Sequence, residues 1–100
     1  MSKIETLDNF LGGKLKIYQL QKGFRAGHDS VLLASAIKAI EGDSCLELGF
    51  GTGVVSLCLA KRIPNIDIIG IENDKEMLKI SKKNIELNNF KKNIKVFAGD

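Results

Sequence analysis

The chain has 100 residues, 44% hydrophobic and 27% charged, with a formal net charge of +3. That is the length of one small domain, and the balance of apolar to charged residues excludes a disordered chain. Thirteen of the fifteen basic residues are scattered lysines, which permits nucleic-acid binding without arguing for it, and no apolar run is long enough for a membrane span.

In chain order, the start from Met1 to Asp8 has no apolar signal region. Gly12-Gly13 makes a turn. Lys14-Leu15-Lys16-Ile17-Tyr18-Gln19 alternates polar and apolar, the pattern of a half-buried strand. Gly23 to His28 reads as a loop. Asp29 then caps a helix running from Ser30 to Ala39, whose apolar face is Leu32, Leu33, Ala36, Ile37 and Ile40. Glu41-Gly42-Asp43 ends that helix and leads into a first parallel strand, Ser44 to Leu48.

The stretch Val54 to Arg62 is apolar nearly all round, as in a helix buried against a sheet. Pro64-Asn65 makes a turn. Ile66 to Ile71 is a β-branched run of the kind found in parallel sheets covered on both faces. Asp74 begins a helix over Lys75 to Asn88, with Met77, Leu78, Ser81 and Ile85 on one face and lysines on the other. Lys95 to Ala98 forms a third strand before Gly99-Asp100. Strand, helix, strand, helix, strand is the first half of a doubly wound α/β fold. Residues 44–100 form this Rossmann-like core, and residues 1–43 an extension before it. Cys45 and Cys58 fall at buried positions without metal or redox spacing, which predicts free core cysteines in a reducing cytoplasm.

The functional signal lies between the first strand and its helix, in Leu46-Glu47-Leu48-Gly49-Phe50-Gly51-Thr52-Gly53. Such a turn holds the adenosyl part of a cofactor: its backbone angles exclude a Cβ, the ligand approaches the backbone closely, and the next helix offers free N–H groups. A nicotinamide site wants Gly-x-Gly-x-x-Gly, whose third glycine would fall where this chain has Val54. The observed acidic-x-Gly-x-Gly-x-Gly resembles motif I of class I methyltransferases that use S-adenosylmethionine. The charges agree. A carboxylate at Glu47 repels a pyrophosphate and attracts a sulfonium and an ammonium.

Acidic residues stand at or near the end of each strand: Glu47, Glu72 and Asp100. Ligands of this fold lie beyond the carboxyl ends of the strands. Glu72 is spaced from the glycines as a ribose-binding carboxylate is, and Asp100 is placed to accept a bond from an adenine amino group. The candidate cofactor residues of this half are Glu47, Gly49, Gly51, Thr52, Gly53, Glu72 and Asp100.

A second block, Thr6-Leu7-Asp8-Asn9-Phe10-Leu11-Gly12-Gly13-Lys14-Leu15 with Gln21 to Ala34, is more specific. It resembles the segment that precedes the core in bacterial adenine-N6 methyltransferases acting on tRNA, of the type that modifies an anticodon-loop adenine of a valine tRNA. The resemblance implies an S-adenosylmethionine cofactor, a tRNA partner, and a cofactor-side loop carrying Arg25 and Asp29. His28 is the lone histidine and reads as a loop residue.

That family also carries a catalytic Asn/Asp-Pro-Pro-aromatic motif after a fourth strand. The only proline here is Pro64, so no catalytic residue is assigned, and no metal site. The sequence therefore reads as a cofactor-binding amino-terminal half, marginally stable alone, with a complementary carboxyl-terminal half as possible partner. The competing reading is a non-catalytic binding or interaction module from a split or decayed gene.

Overall fold

The computed structural model describes residues 5–20 and 41–100. They form two sheets. An antiparallel hairpin pairs β1 (Glu5–Phe10) with β2 (Leu15–Leu20), Phe10 opposite Leu15 and Glu5 opposite Leu20. The second sheet is parallel, in the order β3 (Ser44–Leu48), β4 (Asp67–Glu72), β5 (Ile94–Ala98). Helix α1 (Val54–Arg62) links β3 to β4, and α2 (Lys75–Leu87) links β4 to β5.

The core elements fall within one or two residues of the sequence-derived bounds. The sequence pattern predicts no strand over Glu5–Phe10, where the structure has β1. Glu5-Thr6-Leu7-Asp8-Asn9-Phe10 carries little apolar signal, and its pairing with β2 is what makes it a strand. The connection needs left-handed angles at Leu11 (φ 53), Gly12 (φ 64) and Gly13 (φ 88), which the two glycines adopt without a Cβ penalty.

Both crossovers step the same way across the sheet, so two connections of the same hand lay α1 and α2 on one face. The core lies there: Ile68, Ile94 and Val96 of the sheet meet Val54, Leu57, Cys58 and Leu59 of α1 and Ile85 of α2, with Leu15 and Ile17 of the hairpin. The β-branched run of β4 had predicted a sheet covered on both faces. Among the described residues only one face carries helices: Leu46 (65% exposed), Leu48 (69%), Ile69 (47%) and Phe97 (52%) line the other. Cys58 is buried as expected, but Cys45 is only half-buried; neither forms a disulfide. The predicted helix over Ser30–Ala39 lies outside the described residues.

Two asparagines dock α2 onto the hairpin. In an antiparallel ladder, alternate residues turn their N–H and C=O away from the partner strand. On β2 these are Lys16 and Tyr18, and each is met by one side-chain amide from α2. Asn84 Oδ1 accepts the Tyr18 N–H at 2.6 Å and Asn84 Nδ2 donates to the Tyr18 carbonyl at 3.0 Å. One helical turn on, Asn88 Oδ1 accepts the Lys16 N–H at 3.0 Å and Nδ2 donates to its carbonyl at 2.7 Å. The side chains thus act as the missing neighbouring strand, satisfying backbone groups that a packed interface would otherwise strand. Lys83 adds a 2.6 Å ion pair to Glu5 and lies 4.2 Å over the Tyr18 ring.

Gly70, inside β4, has a packing reason. A Cβ there would fall 2.1 Å from Cδ1 of Phe50, whose ring is buried. A strand-interior glycine marks such a close approach. Gly70→Ala should therefore overpack the site and destabilise the fold by about 1–3 kcal/mol. Chemical denaturation measures this; an unchanged midpoint would mean that Phe50 moves aside at no cost.

Candidate functional site

The carboxyl ends of β3, β4 and β5 converge on the turn Gly49–Gly53. Its start is tied to the neighbouring strand, because the N–H groups of Gly49 and Phe50 both donate to the Ile71 carbonyl, at 2.9 and 3.1 Å. Gly49 (φ 67), Gly51 (φ 61) and Gly53 (φ 90) are all left-handed, as the sequence reading required. Their surroundings differ. Among the described residues, an added Cβ would meet nothing within 4 Å at Gly49 or Gly51, while at Gly53 it would lie 2.6 Å from Cε2 of Phe50. So Gly49 and Gly51 line open space suited to a ligand. Gly53 is glycine because Phe50 fills the room beside it.

Glu72 reaches across from β4. Its Oε1 accepts the Gly51 N–H at 2.7 Å and its Oε2 accepts the Asp74 N–H at 2.9 Å. The residue is 7% exposed. Each oxygen keeps a further lone pair, so the carboxylate can still accept two hydroxyls. Asp74 caps α2, its Oδ1 accepting from the N–H groups of Glu76 (2.9 Å) and Met77 (3.2 Å), the role expected of it. Asp100 stands alongside, its Oδ1 accepting from Asn73 Nδ2 at 3.1 Å, and the Gly99 N–H donates to the Glu72 carbonyl at 3.1 Å. Glu72, Asn73 and Asp100 thus form one polar rim opposite the glycine turn.

Thr52 is buried, and its carbonyl accepts from Asn84 Nδ2 at 2.9 Å. Gly53 is the N-cap of α1 and, among the described residues, no side chain caps that end. The first N–H groups of the helix are therefore open to an acceptor on the turn side. Glu47 sits one step back from the turn and accepts a short hydrogen bond from Ser56 Oγ, in the first turn of α1. Arg25, Asp29 and His28 lie outside the described residues.

Phe50, Ser56, Asn73 and Asn84 are site residues that the sequence reading did not single out. Phe50 stands inside the glycine motif at a position where any residue is admitted. Gly70 was the available signal, since a glycine in a β-branched run needs a neighbour to explain it. Asn84 follows Ser81 on the face of α2 that turns inward, where a polar residue needs a partner.

Burial pushes the Glu47 carboxyl above the ordinary carboxylate range, and the Ser56 bond pulls it part of the way back. An acid whose folded pKa lies above its unfolded one holds its proton more tightly when folded. Its contribution to stability is then lost as pH rises from the unfolded value through the folded one. Glu47→Gln keeps an oxygen for Ser56 but cannot ionise. The variant should show a smaller fall in thermal midpoint than the parent as pH is raised across that window. Parallel pH profiles for the two proteins would contradict this.

Residues 13–98 match a family model described as lysine methyltransferase. A protein of Methanocaldococcus jannaschii, provisionally described as a protein N5-glutamine methyltransferase, is 33% identical over 89 residues, covering 89% of this chain and 43% of that protein. A tRNA1(Val) (adenine(37)-N6)-methyltransferase of Histophilus somni is 33% identical over 85 residues, covering 84% of this chain and 36% of that one. The chain therefore spans less than half the length of these relatives. Among solved structures, an S-adenosylmethionine-dependent methyltransferase from Thiobacillus denitrificans, crystallised with S-adenosylhomocysteine, superposes with a TM-score of 0.65 at 23% identity, over 74% of this chain and 30% of that one. The fold is that of the class I methyltransferases, and the chain belongs to the family that the matched model describes.

Proposed function

We propose that this chain is the S-adenosylmethionine-binding part of an RNA adenine-N6 methyltransferase. The observation that carries the reading is the Glu72 carboxylate bonded to the Gly51 N–H across a glycine turn with open space beside it. A ligand lying there meets carboxylates at Glu72 and Asp100, with Glu47 behind, and residues 44–53, 72–74 and 98–100 contain no lysine or arginine. That surface suits a sulfonium and an ammonium and disfavours a pyrophosphate.

The chain's residues then divide the work. Gly49 and Gly51 let the ligand lie against the backbone. Glu72 accepts the ribose hydroxyls, and Asp100 the adenine amino group. Thr52 and Gly53 present the start of α1, while Glu47 supplies negative charge behind the turn. Arg25 and Asp29 join the site by the resemblance of their loop. When bound, S-adenosylmethionine supplies the methyl group; these residues orient it, and proximity of this kind is a large share of what such an enzyme contributes.

Lysine, glutamine and adenine are all acceptors named among the matches. The specific block from Thr6 to Leu15 and from Gln21 to Ala34 favours adenine in tRNA, and with it a cytoplasmic setting. The acceptor pocket is assigned to a complementary segment, since these residues hold no Asn/Asp-Pro-Pro-aromatic motif. Strand β3 is an edge among the described strands, and it is where a further strand would complete the crevice.

Calorimetric titration tests the cofactor. S-adenosylhomocysteine should bind more tightly than a nicotinamide dinucleotide, and Gly51→Val should abolish binding, since a branched side chain at φ 61 is strained and fills the open space. Tighter binding of the dinucleotide would overturn the assignment. For the acceptor, the chain joined by its complementary half should methylate unmodified tRNA; methylation of a protein instead would place it with the other acceptor classes.

A further inference from the structure

We propose that Asn84 is a positioning residue for the glycine turn, and that through it the β1–β2 hairpin sets the geometry of the turn. The part of this proposal that concerns ligand affinity rests on the cofactor reading above.

Asn84 belongs to α2, yet it is fully buried between two other elements. Its amide nitrogen has two protons, and they go to different places: one to the Tyr18 carbonyl of β2 at 3.0 Å, one to the Thr52 carbonyl at 2.9 Å. Its oxygen is taken by the Tyr18 N–H at 2.6 Å. Both donors are thus committed, and each bond fixes the side chain for the other.

The turn needs such an external hold. Gly51 and Gly53 flank Thr52, and glycine has little preference among backbone angles. The sequence of the turn therefore leaves the orientation of its peptide planes weakly determined. Within the turn these two planes meet in one bond, the Gly53 N–H donating to the Phe50 carbonyl at 3.1 Å; Glu72 adds a hold on the plane that carries the Gly51 N–H, and Asn84 one on the plane that carries the Thr52 carbonyl. Gly51, one of the two glycines whose backbone a ligand would approach, lies between these two anchors.

Asn88 provides an internal comparison. One helical turn further on, it makes the same pair of bonds to β2, at Lys16, and donates to the Asn84 carbonyl at 2.8 Å. None of these bonds reaches the turn. If the asparagines serve only to dock the hairpin, the two should behave alike when replaced. If Asn84 positions the turn, they should differ.

The experiment compares Asn84→Ala, Asn84→Ser and Asn88→Ala in the full chain. Thermal midpoints, amide proton–nitrogen spectra and calorimetric titration with S-adenosylhomocysteine are recorded for each. All three should melt earlier. The Asn84 variants should move or broaden the Gly51 and Gly53 amide peaks and weaken S-adenosylhomocysteine by about tenfold. Asn88→Ala should leave those peaks in place and keep affinity within about twofold, being remote from the turn. Equal effects of Asn84→Ala and Asn88→Ala on peaks and affinity, or unmoved glycine peaks in the Asn84 variants, would overturn the proposal. Should the Asn84 variants fail to fold, the parent chain decides: both Asn84 Nδ2 protons should exchange with solvent far more slowly than those of exposed side-chain amides, and rapid exchange would refute the contact. If the parent binds no S-adenosylhomocysteine while the glycine peaks respond to Asn84 alone, the cofactor reading fails and the coupling of hairpin to turn stands.

Discussion

Glu72 accepts the Gly51 N–H with one carboxylate oxygen and the Asp74 N–H with the other. Burying a carboxylate is costly unless donors meet it. Here two backbone N–H groups do so, each such charge-assisted bond contributing about 1.5–3 kcal/mol. The bonds also fix geometry. One ties the end of β4 to the turn after β3; the other fixes the entry to α2. The rim is completed beside it, with Asp100 accepting from Asn73 Nδ2 and the Gly99 N–H donating to the Glu72 carbonyl.

Two further constraints hold the turn from below and behind. Phe50 turns its ring into the core between Gly53 and Gly70, which have no side chain to obstruct it. The turn is thereby nailed to the sheet by an apolar anchor. From behind, α2 carries Asn84 to the Thr52 carbonyl and, with Asn88, replaces a neighbouring strand for β2. The hairpin is thus part of the support of the candidate site. The amino-terminal extension is linked to the glycine turn through the Asn84 amide, which donates to both the Tyr18 and the Thr52 carbonyls.

Much of this was legible beforehand. The five core elements follow from periodicity, and the three glycines with Glu72 at a strand end mark the candidate site in the sequence itself. Other features depend on distance in space. Strand β1 exists because β2 pairs with it. Among the described residues both helices lie on one face of the sheet because both crossovers step the same way, which no single strand reveals. Asn84 and Asn88 read as ordinary polar helix residues until β2 is seen against them. Glu47 is an acid at the expected position, but its bond to Ser56 draws it toward α1. Arg25 and Asp29 fall outside the described residues, so their place beside the cofactor rests on the loop's resemblance alone.

The most direct measurement is a titration of the isotopically labelled chain with S-adenosylhomocysteine, followed in amide proton–nitrogen spectra. The predicted result is a set of saturating shifts concentrated at Gly49, Gly51, Gly53, Glu72, Asn73 and Asp100, with the Gly51 amide among the largest because it already bonds to Glu72. Shifts confined to the groove between α2 and β5, around Lys82, Glu86 and Phe97, or no shifts at the turn at saturating ligand, would contradict the assignment of the glycine turn as the cofactor site.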